Sequence, residues 1–425
     1  MNLPPNAASS ETLPIPPSMT DVVIIGAGPA GSCSAALLAR QGFDVTVVER
    51  ERFPRFVIGE SLLPHCMDVL AETGLLSAVE ARGYQIKKGA AFLRGSERMR
   101  FSFDEQFTAG WSYTYQVPRD DFDKTLADGA ATMGAKIFYE HAVERVDLAG
   151  DPSVEVIGPG GARKTVRARF VIDASGYGRV LPRLLGLDRP SGFPPRAALF
   201  THVVGDLRPS QDDAERIWIC VHPRGGWLWV IPFSDGRTSV GVVGAVEFFD
   251  QFPPDPAERL RAIIASEPNA AHRLSAATFS FQPRSIVGYA ASVERYHGPG
   301  FCLVGNATDF LDPIFSSGVN LAMESASCAA RLVGRQLRGE AVDWDEDYVQ
   351  HMRQGFNMFR SYVESWYDGT LGAIVFAPNP DPAIKAQICS VFAGYVWDRS
   401  NHFAREPNRK LKQVARLIAG VQVPS

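Results

Sequence analysis

The stretch DVVIIGAGPAG, residues Asp21 to Gly31, decides the fold. Its first half is a short, continuous apolar run led by β-branched residues, which reads as a buried strand. Gly26, Gly28 and Gly31 follow at once as G-x-G-x-x-G. The next residues, SCSAALLARQG, carry the Ala/Leu-rich pattern of a helix that stops at Gly42, and DVTVVER (44–50) is a second β-branched run. Strand, glycine turn, helix and strand make one βαβ unit, joined by the usual right-handed crossover.

Each glycine of such a unit has its own task. Gly26 permits the tight turn, Gly28 lets the backbone approach a pyrophosphate, and Gly31 lets helix and strand pack closely. The helix N-terminus then offers free N–H groups and a positive dipole end to the diphosphate. Glu49 ends the second strand, where a carboxylate accepts from ribose hydroxyls and repels a 2′-phosphate. The triplet alone does not separate FAD from NAD. The other glycine cluster, GPGG at 158–161, opens no helix, so the chain carries one dinucleotide fingerprint.

Outward from this unit, residues 61–80 and 119–134 read as helical, 137–172 as strands closing on RFVIDASG, and 299–305 as a return to the first sheet. Between them, 189–298 turns β-rich with many Pro and Gly. A helix is expected over about 318–337, and the chain from Asp343 is mostly helical and aromatic-rich. The expected organisation is a loose tail (1–20), a discontinuous Rossmann-like domain (21–188 and 299–340), an inserted β-sheet substrate domain (189–298) and a helical C-terminal region (341–425), a mixed α/β protein.

Of the 425 residues 45% are apolar, enough for a large core, and the net charge of −4 argues against nucleic acid as a partner. The six cysteines are scattered and show no metal-ligand spacing, so they read as buried small hydrophobes, with no metal expected. The tail lacks the basic and apolar regions of a signal peptide, and no run approaches the roughly 20 apolar residues that span a bilayer. A soluble, cytoplasmic protein is expected.

Three later segments bear on the cofactor. QVPRDDFD (116–123), DASG (173–176) and GNATDFLDPIFSSGVNLA (305–322) resemble, in order, the motifs of the glutathione-reductase-type FAD monooxygenase superfamily. The resemblance implies non-covalent FAD, with Arg119 and Gln116 at its polar linker, Asp173 in a turn beside it, and Gly305, Asn306 and Asp312 at ribityl and isoalloxazine. The superfamily usually has Gly-Asp where this chain has Gly305-Asn306, a change that keeps an acceptor oxygen and loses a charge.

Further motifs resemble the flavin-dependent halogenases. Trp227-Leu228-Trp229-Val230-Ile231-Pro232 fits W-x-W-x-I-P, and positions i and i+2 of a strand share a face, so two indoles wall one surface. GESLLP (59–64) is followed by Lys87-Lys88-Gly89-Ala90-Ala91-Phe92, which resembles the family's lysine segment; Lys87 fits the spacing and Lys88 is the runner-up. DPIFSSGV (312–319) resembles the segment bordering flavin and halide, with Ser317 and Gly318 implied to hold chloride or bromide. The tryptophan-specific branch has a glutamate two residues before that serine; here it is Phe315.

The resemblance therefore implies an FADH2- and O2-dependent halogenase that makes hypohalous acid at the flavin and passes it by Lys87, oriented by Glu60, to an electron-rich phenol or pyrrole, free or on a carrier protein. A separate flavin reductase is implied by the single dinucleotide fingerprint. The eight histidines are expected to be structural. Alternatives on the same fold are an FAD aromatic monooxygenase, an FAD-dependent double-bond reductase, and a non-catalytic flavoprotein.

Overall fold

The computed structural model describes residues 15–209 and 211–421. Its first sheet has six strands in the order His297–Gly298, Phe301–Leu303, Phe170–Asp173, Val22–Ile25, Val45–Glu49, Lys136–Tyr139. All neighbours are parallel except the short first pair. Val22 to Ile25 are buried on both sides, as parallel strands covered by helices must be. The helices Pro29–Arg40 and Ser317–Leu337 pack against each other beside this sheet. The strand Phe301–Leu303 does rejoin the first sheet, as its sequence suggests.

Part of the tail is ordered. Ser18 and Thr20 pair with the backbone of Arg167, and the Thr20 hydroxyl donates to the Asp44 carbonyl at 2.7 Å. The expectation of a loose tail over 1–20 thus fails for its last residues, whose backbone is claimed by a neighbouring strand; residues 1–14 lie outside the described residues.

The second, eight-stranded sheet is built mainly from the β-rich stretch. Two of its strands, Gly89–Arg94 and Glu97–Ser102, come from the part of the chain assigned by sequence to the first domain. They attach because Gly89 to Leu93 pair in parallel with Arg216 to Cys220. The boundary at 189 therefore does not coincide with the boundary between sheets. The sheet's two faces follow the period of two. Ala198, Phe200, Trp227, Trp229 and Ile231 face a large cleft. Leu199, Trp218, Leu228 and Val230 face a separate core closed by the helix Pro256–Ala265 through Leu260 and Ile263.

At the rim of that core, Arg273 and Asp206 form an ion pair (2.8 and 2.9 Å) with both side chains 1% exposed, and the guanidinium lies 4.4 Å from the Trp218 ring. Removing one partner of such a pair leaves a buried charge without its counterion. Asp206→Ala should lower unfolding stability by about 3–5 kcal/mol in urea titrations. A loss under about 1 kcal/mol would mean that Arg273 is solvated or held by Trp218 alone.

Candidate active site

The cleft between the two sheets encloses about 1550 Å³, counting its open mouth. One end is made by the glycine turn. Gly26 has φ +97°, and a Cβ there would lie 2.7 Å from the Ala174 carbonyl oxygen; a Cβ on Gly31 would lie 1.9 Å from the Gly26 carbonyl oxygen. These two glycines are required by the chain itself. Gly28 is not: its φ of −68° suits any residue, and the nearest atoms to a Cβ are Arg55 Nη2 at 3.5 Å and Asp123 Oδ2 at 4.0 Å. Glycine at 28 leaves the backbone bare at the N-terminus of Pro29–Arg40, open to close approach by a ligand.

Glu49 lies in the same wall. Its two oxygens accept from the Ala27 and Glu51 N–H groups, each at 2.9 Å, which fixes the carboxylate at the end of its strand with lone pairs to spare. Arg119 is buried, with Asp123 held by two hydrogen bonds (2.7 and 3.1 Å) and the Ile58 and Gly59 carbonyls accepting from Nη1. Arg55 joins the same aspartate at 3.0 Å and also borders the cleft. The sequence reading missed Arg55, which stands in no recognised motif. A glycine-lined turn, a ribose-ready carboxylate and two nearby guanidiniums fit the adenosine diphosphate half of FAD.

Several expected contacts are indirect. The Gln116 carboxamide, oriented to satisfy both its atoms, donates to the Pro232 carbonyl (2.7 Å) and accepts from Ile217 N–H (3.2 Å), so it joins two strands of the second sheet. Asp173 accepts from the Ser175 and Leu181 N–H groups (2.8 and 2.6 Å), which shapes the turn 174–178 whose residues do line the cleft. Asp312 accepts from Tyr289 and Tyr367, each at 3.0 Å, and burial pushes its carboxyl up. Tyr367 in turn accepts from Trp227 Nε1 at 3.1 Å. Asp312 thus anchors the tryptophan wall. Gly305 and Asn306 border the cleft directly, and the Asn306 carbonyl accepts from Arg179 at 3.0 Å.

Trp227 and Trp229 stand side by side, ring centroids 6.0 Å apart, on the cleft face. Room for Trp229 comes from Gly241 directly across the ladder, where a Cβ would lie 2.2 Å from the indole. Opposite them, Ser316 adopts a left-handed φ of 56° just before the helix Ser317–Leu337; Ser316 and Gly318 line the cleft, and Ser317 is buried.

A family profile described as FAD binding domain matches residues 19–357. The tryptophan 2-halogenase of Chondromyces crocatus is 34% identical over 83% of this chain and 68% of its own length. The 1H-pyrrole-2-carbonyl-[peptidyl-carrier protein] chlorinase of Pseudomonas fluorescens is 29% identical over 89% of both chains. The chain belongs to the flavin-dependent halogenase family. A crystal structure described as a flavoprotein/dehydrogenase from Cytophaga hutchinsonii superposes with a TM-score of 0.93, at 51% identity over 95% of this chain and 100% of that one. The enzyme is a flavin oxidoreductase, with FAD as cofactor and halide as co-substrate. Among the described residues no helix is long and apolar enough to cross a membrane, and no cluster of His, Cys, Asp and Glu is placed to hold a metal.

The two candidate lysines differ sharply. Lys87 is 2% exposed, its Nζ donates to the Leu62 carbonyl at 2.7 Å, and the Phe103 ring centroid lies 5.6 Å away. Burial pushes its ammonium down to about 7. Lys88 is half exposed and paired with Glu215 at 2.7 Å. The expected Lys87–Glu60 pair is not formed. The segment 60–62 runs extended against 115–117, and Lys87 meets its backbone at the Leu62 carbonyl. Glu60 instead meets His202, Oε1 to Nε2 2.7 Å, and that histidine was expected to be structural.

Gly28→Val should abolish retention of FAD through gel filtration, read by absorbance, while far-ultraviolet dichroism stays unchanged; full flavin occupancy would refute the glycine argument. Lys87 gives a pH signature. Its folded-state value lies below that of the unfolded chain, so between about 7 and about 10.5 the unfolded state binds the extra proton and stability rises with pH. Wild type should therefore gain on Lys87→Met as pH climbs through that window, measured by denaturant titration. A constant difference would mean that Lys87 is solvated.

Proposed function

We propose that the enzyme makes hypohalous acid in the cleft and that Lys87 passes the halogen to an electron-rich ring. Reduced FAD, when bound, supplies the electrons that activate O2 for oxidation of the halide. The chain's residues supply order. Gly26, Gly28, Gly31, Glu49, Arg119, Gly305 and Asn306 bind the cofactor, with Gln116, Asp173 and Asp312 bracing them. The left-handed Ser316, whose own N–H donates to the Pro313 carbonyl, leads into the helix start at Ser317-Gly318, whose backbone N–H groups would form a nest for chloride or bromide. Trp227 and Trp229 keep organic substrate off this part of the cleft.

The observation that carries this reading is the buried amine of Lys87. Burial lowers its value to about 7, which brings the neutral form, with its free lone pair, within reach near neutral pH. A neutral amine can take the halogen from hypohalous acid, releasing water and leaving an N–X bond. The protonated form can instead donate a hydrogen bond to the acid and polarise it. Both require a fixed amine sheltered from water, and neither is offered by Lys88.

For substrate we propose a phenol or pyrrole, carried on an acyl or peptidyl carrier protein. The support is the match with a pyrrolyl-carrier chlorinase over 89% of both chains and the apolar Phe315, which stacks on Phe392 at 5.2 Å. The single dinucleotide fingerprint supports reduction of FAD by a separate reductase. A second reading rests on the similar crystal structure described as a flavoprotein/dehydrogenase: an FAD-dependent reductase of carbon–carbon double bonds, needing neither O2 nor halide.

The test is aerobic reaction with externally reduced FAD and bromide over pooled phenols and pyrroles, free and carrier-bound, followed by mass spectrometry. Wild type and Lys88→Ala should give brominated product. Lys87→Ala should keep FAD and keep consuming O2 while product falls by a hundredfold or more, since positioning is worth on the order of 7–11 kcal/mol in favourable cases. Normal bromination by Lys87→Ala would remove the lysine step, and turnover without O2 and bromide would favour the reductase.

A further inference from the structure

Glu60 borders the cofactor cleft and is 2% exposed. One oxygen, Oε1, is satisfied by His202 at 2.7 Å. The other, Oε2, is buried and meets no donor among the described residues, and the adjacent Ser61 hydroxyl in the same wall is in the same condition. Burying a carboxylate oxygen without a donor is unfavourable, so its partner is to be sought in what fills the cleft.

The far side of the pair leads outward. The His202 ring is boxed by Phe56, Phe233 and Phe281, at centroid distances of 5.2 to 5.4 Å. Its Nδ1 lies 3.5 Å from Arg237 Nη1. A guanidinium only donates, so Nδ1 is the acceptor and the neutral ring carries its proton on Nε2, toward Glu60. The Arg237 side chain is 33% exposed and is paired with Asp235, 42% exposed. Arg119, Arg237 and Asp235 are the charged groups in electrostatic reach of the pair. A carboxylate at the cleft, an imidazole behind it, and a polar exit flanked by aromatic rings form a path for one proton.

We propose that Glu60 and His202 are a proton-transfer pair serving the bound flavin. Making hypohalous acid consumes one proton from outside: reduced FAD, O2, one halide ion and one proton yield oxidised FAD, hypohalous acid and one water. Glu60, when protonated, releases that proton from Oε2 into the cleft. The neutral His202 ring takes a proton at Nδ1 from the solvent side, the Arg237 contact giving way. The resulting imidazolium passes its Nε2 proton to Oε1, rotation of the Glu60 carboxyl presents that proton to the cleft, and tautomer exchange restores the Nε2–H ring. Two-electron reduction of bound FAD to FADH2 also takes up two protons, and Glu60 releases one of them by the same route; that step needs no halide, and only delivery to hypohalous acid rests on the halogenase reading.

Infrared difference spectra of FAD-loaded protein before and after reduction, without halide or substrate, test the coupling. Wild type should show a carboxyl C=O band that changes on reduction, and Glu60→Gln should lack it. His202→Gln, which keeps a donor toward Glu60 but cannot ionise, should shift the midpoint pH of the band by about one unit or more. In stopped-flow with bromide, both variants should lose one limb of the pH–rate profile, whereas a merely structural role would lower the plateau and leave the shape. A carboxyl band that survives in Glu60→Gln, or an unchanged midpoint in His202→Gln, overturns the proposal. If neither variant holds FAD, wild type alone decides, and no carboxyl change between about pH 5 and 9 overturns it. A coupled band without any halogenated product would instead sink the halogenase reading and leave the pair intact.

Discussion

The close approach of three backbone segments at Gly26, Gly31 and Ala174 governs the rest of the molecule. Side chains at either glycine would collide with carbonyl oxygens, so the first helix seats directly on the strands. That contact opens the helix N-terminus toward the cleft. It also sets Glu49, at the end of the next strand, where its carboxylate can brace Ala27. The turn 174–178, held by Asp173, closes the same corner. The floor of the cleft is therefore made of backbone, which has little conformational freedom to lose when a cofactor arrives.

The roof is made differently. Its residues come from one face of an antiparallel sheet whose other face is a separate apolar core. Trp229 lies flat against that sheet because Gly241 leaves room, and its Nε1 donates to Ser239 at 3.0 Å. Trp227 is tied through Tyr367 to Asp312, and Asp312 also shapes the turn into the helix Ser317–Leu337. One carboxylate thus fixes the tryptophan wall relative to the helix start. Arg196 over the Tyr367 ring, 3.3 Å from its centroid, closes this network from outside.

What was legible in the sequence was local. The glycine turn, the pair of indoles and the buried lysine each sit in a short motif whose period or spacing reveals its geometry. Contacts between distant segments were not. Gly89 to Leu93 join a strand more than a hundred residues later, and nothing in either segment names the other. Glu60 and His202 are 142 residues apart, so the carboxylate was matched by sequence with the nearer lysine. Asp173, Asp312 and Gln116 were found as important and given contacts with the cofactor, whereas their hydrogen bonds run to the protein that shapes the cleft. A motif marks a residue as needed; it does not say whether the need is for the ligand or for the wall.

The separation of Lys87 from Glu60 has a chemical consequence. Had the two paired, the carboxylate would have held the amine as ammonium, since an opposite charge nearby favours the charged form. Instead Nζ donates to the neutral Leu62 carbonyl, beside an aromatic ring, and burial lowers the amine to about 7. Glu60, engaged by His202 through one oxygen, is left with the other for the cleft. The three residues Glu60 to Leu62 thus present one buried carboxylate to His202 and the cleft and one backbone carbonyl to Lys87.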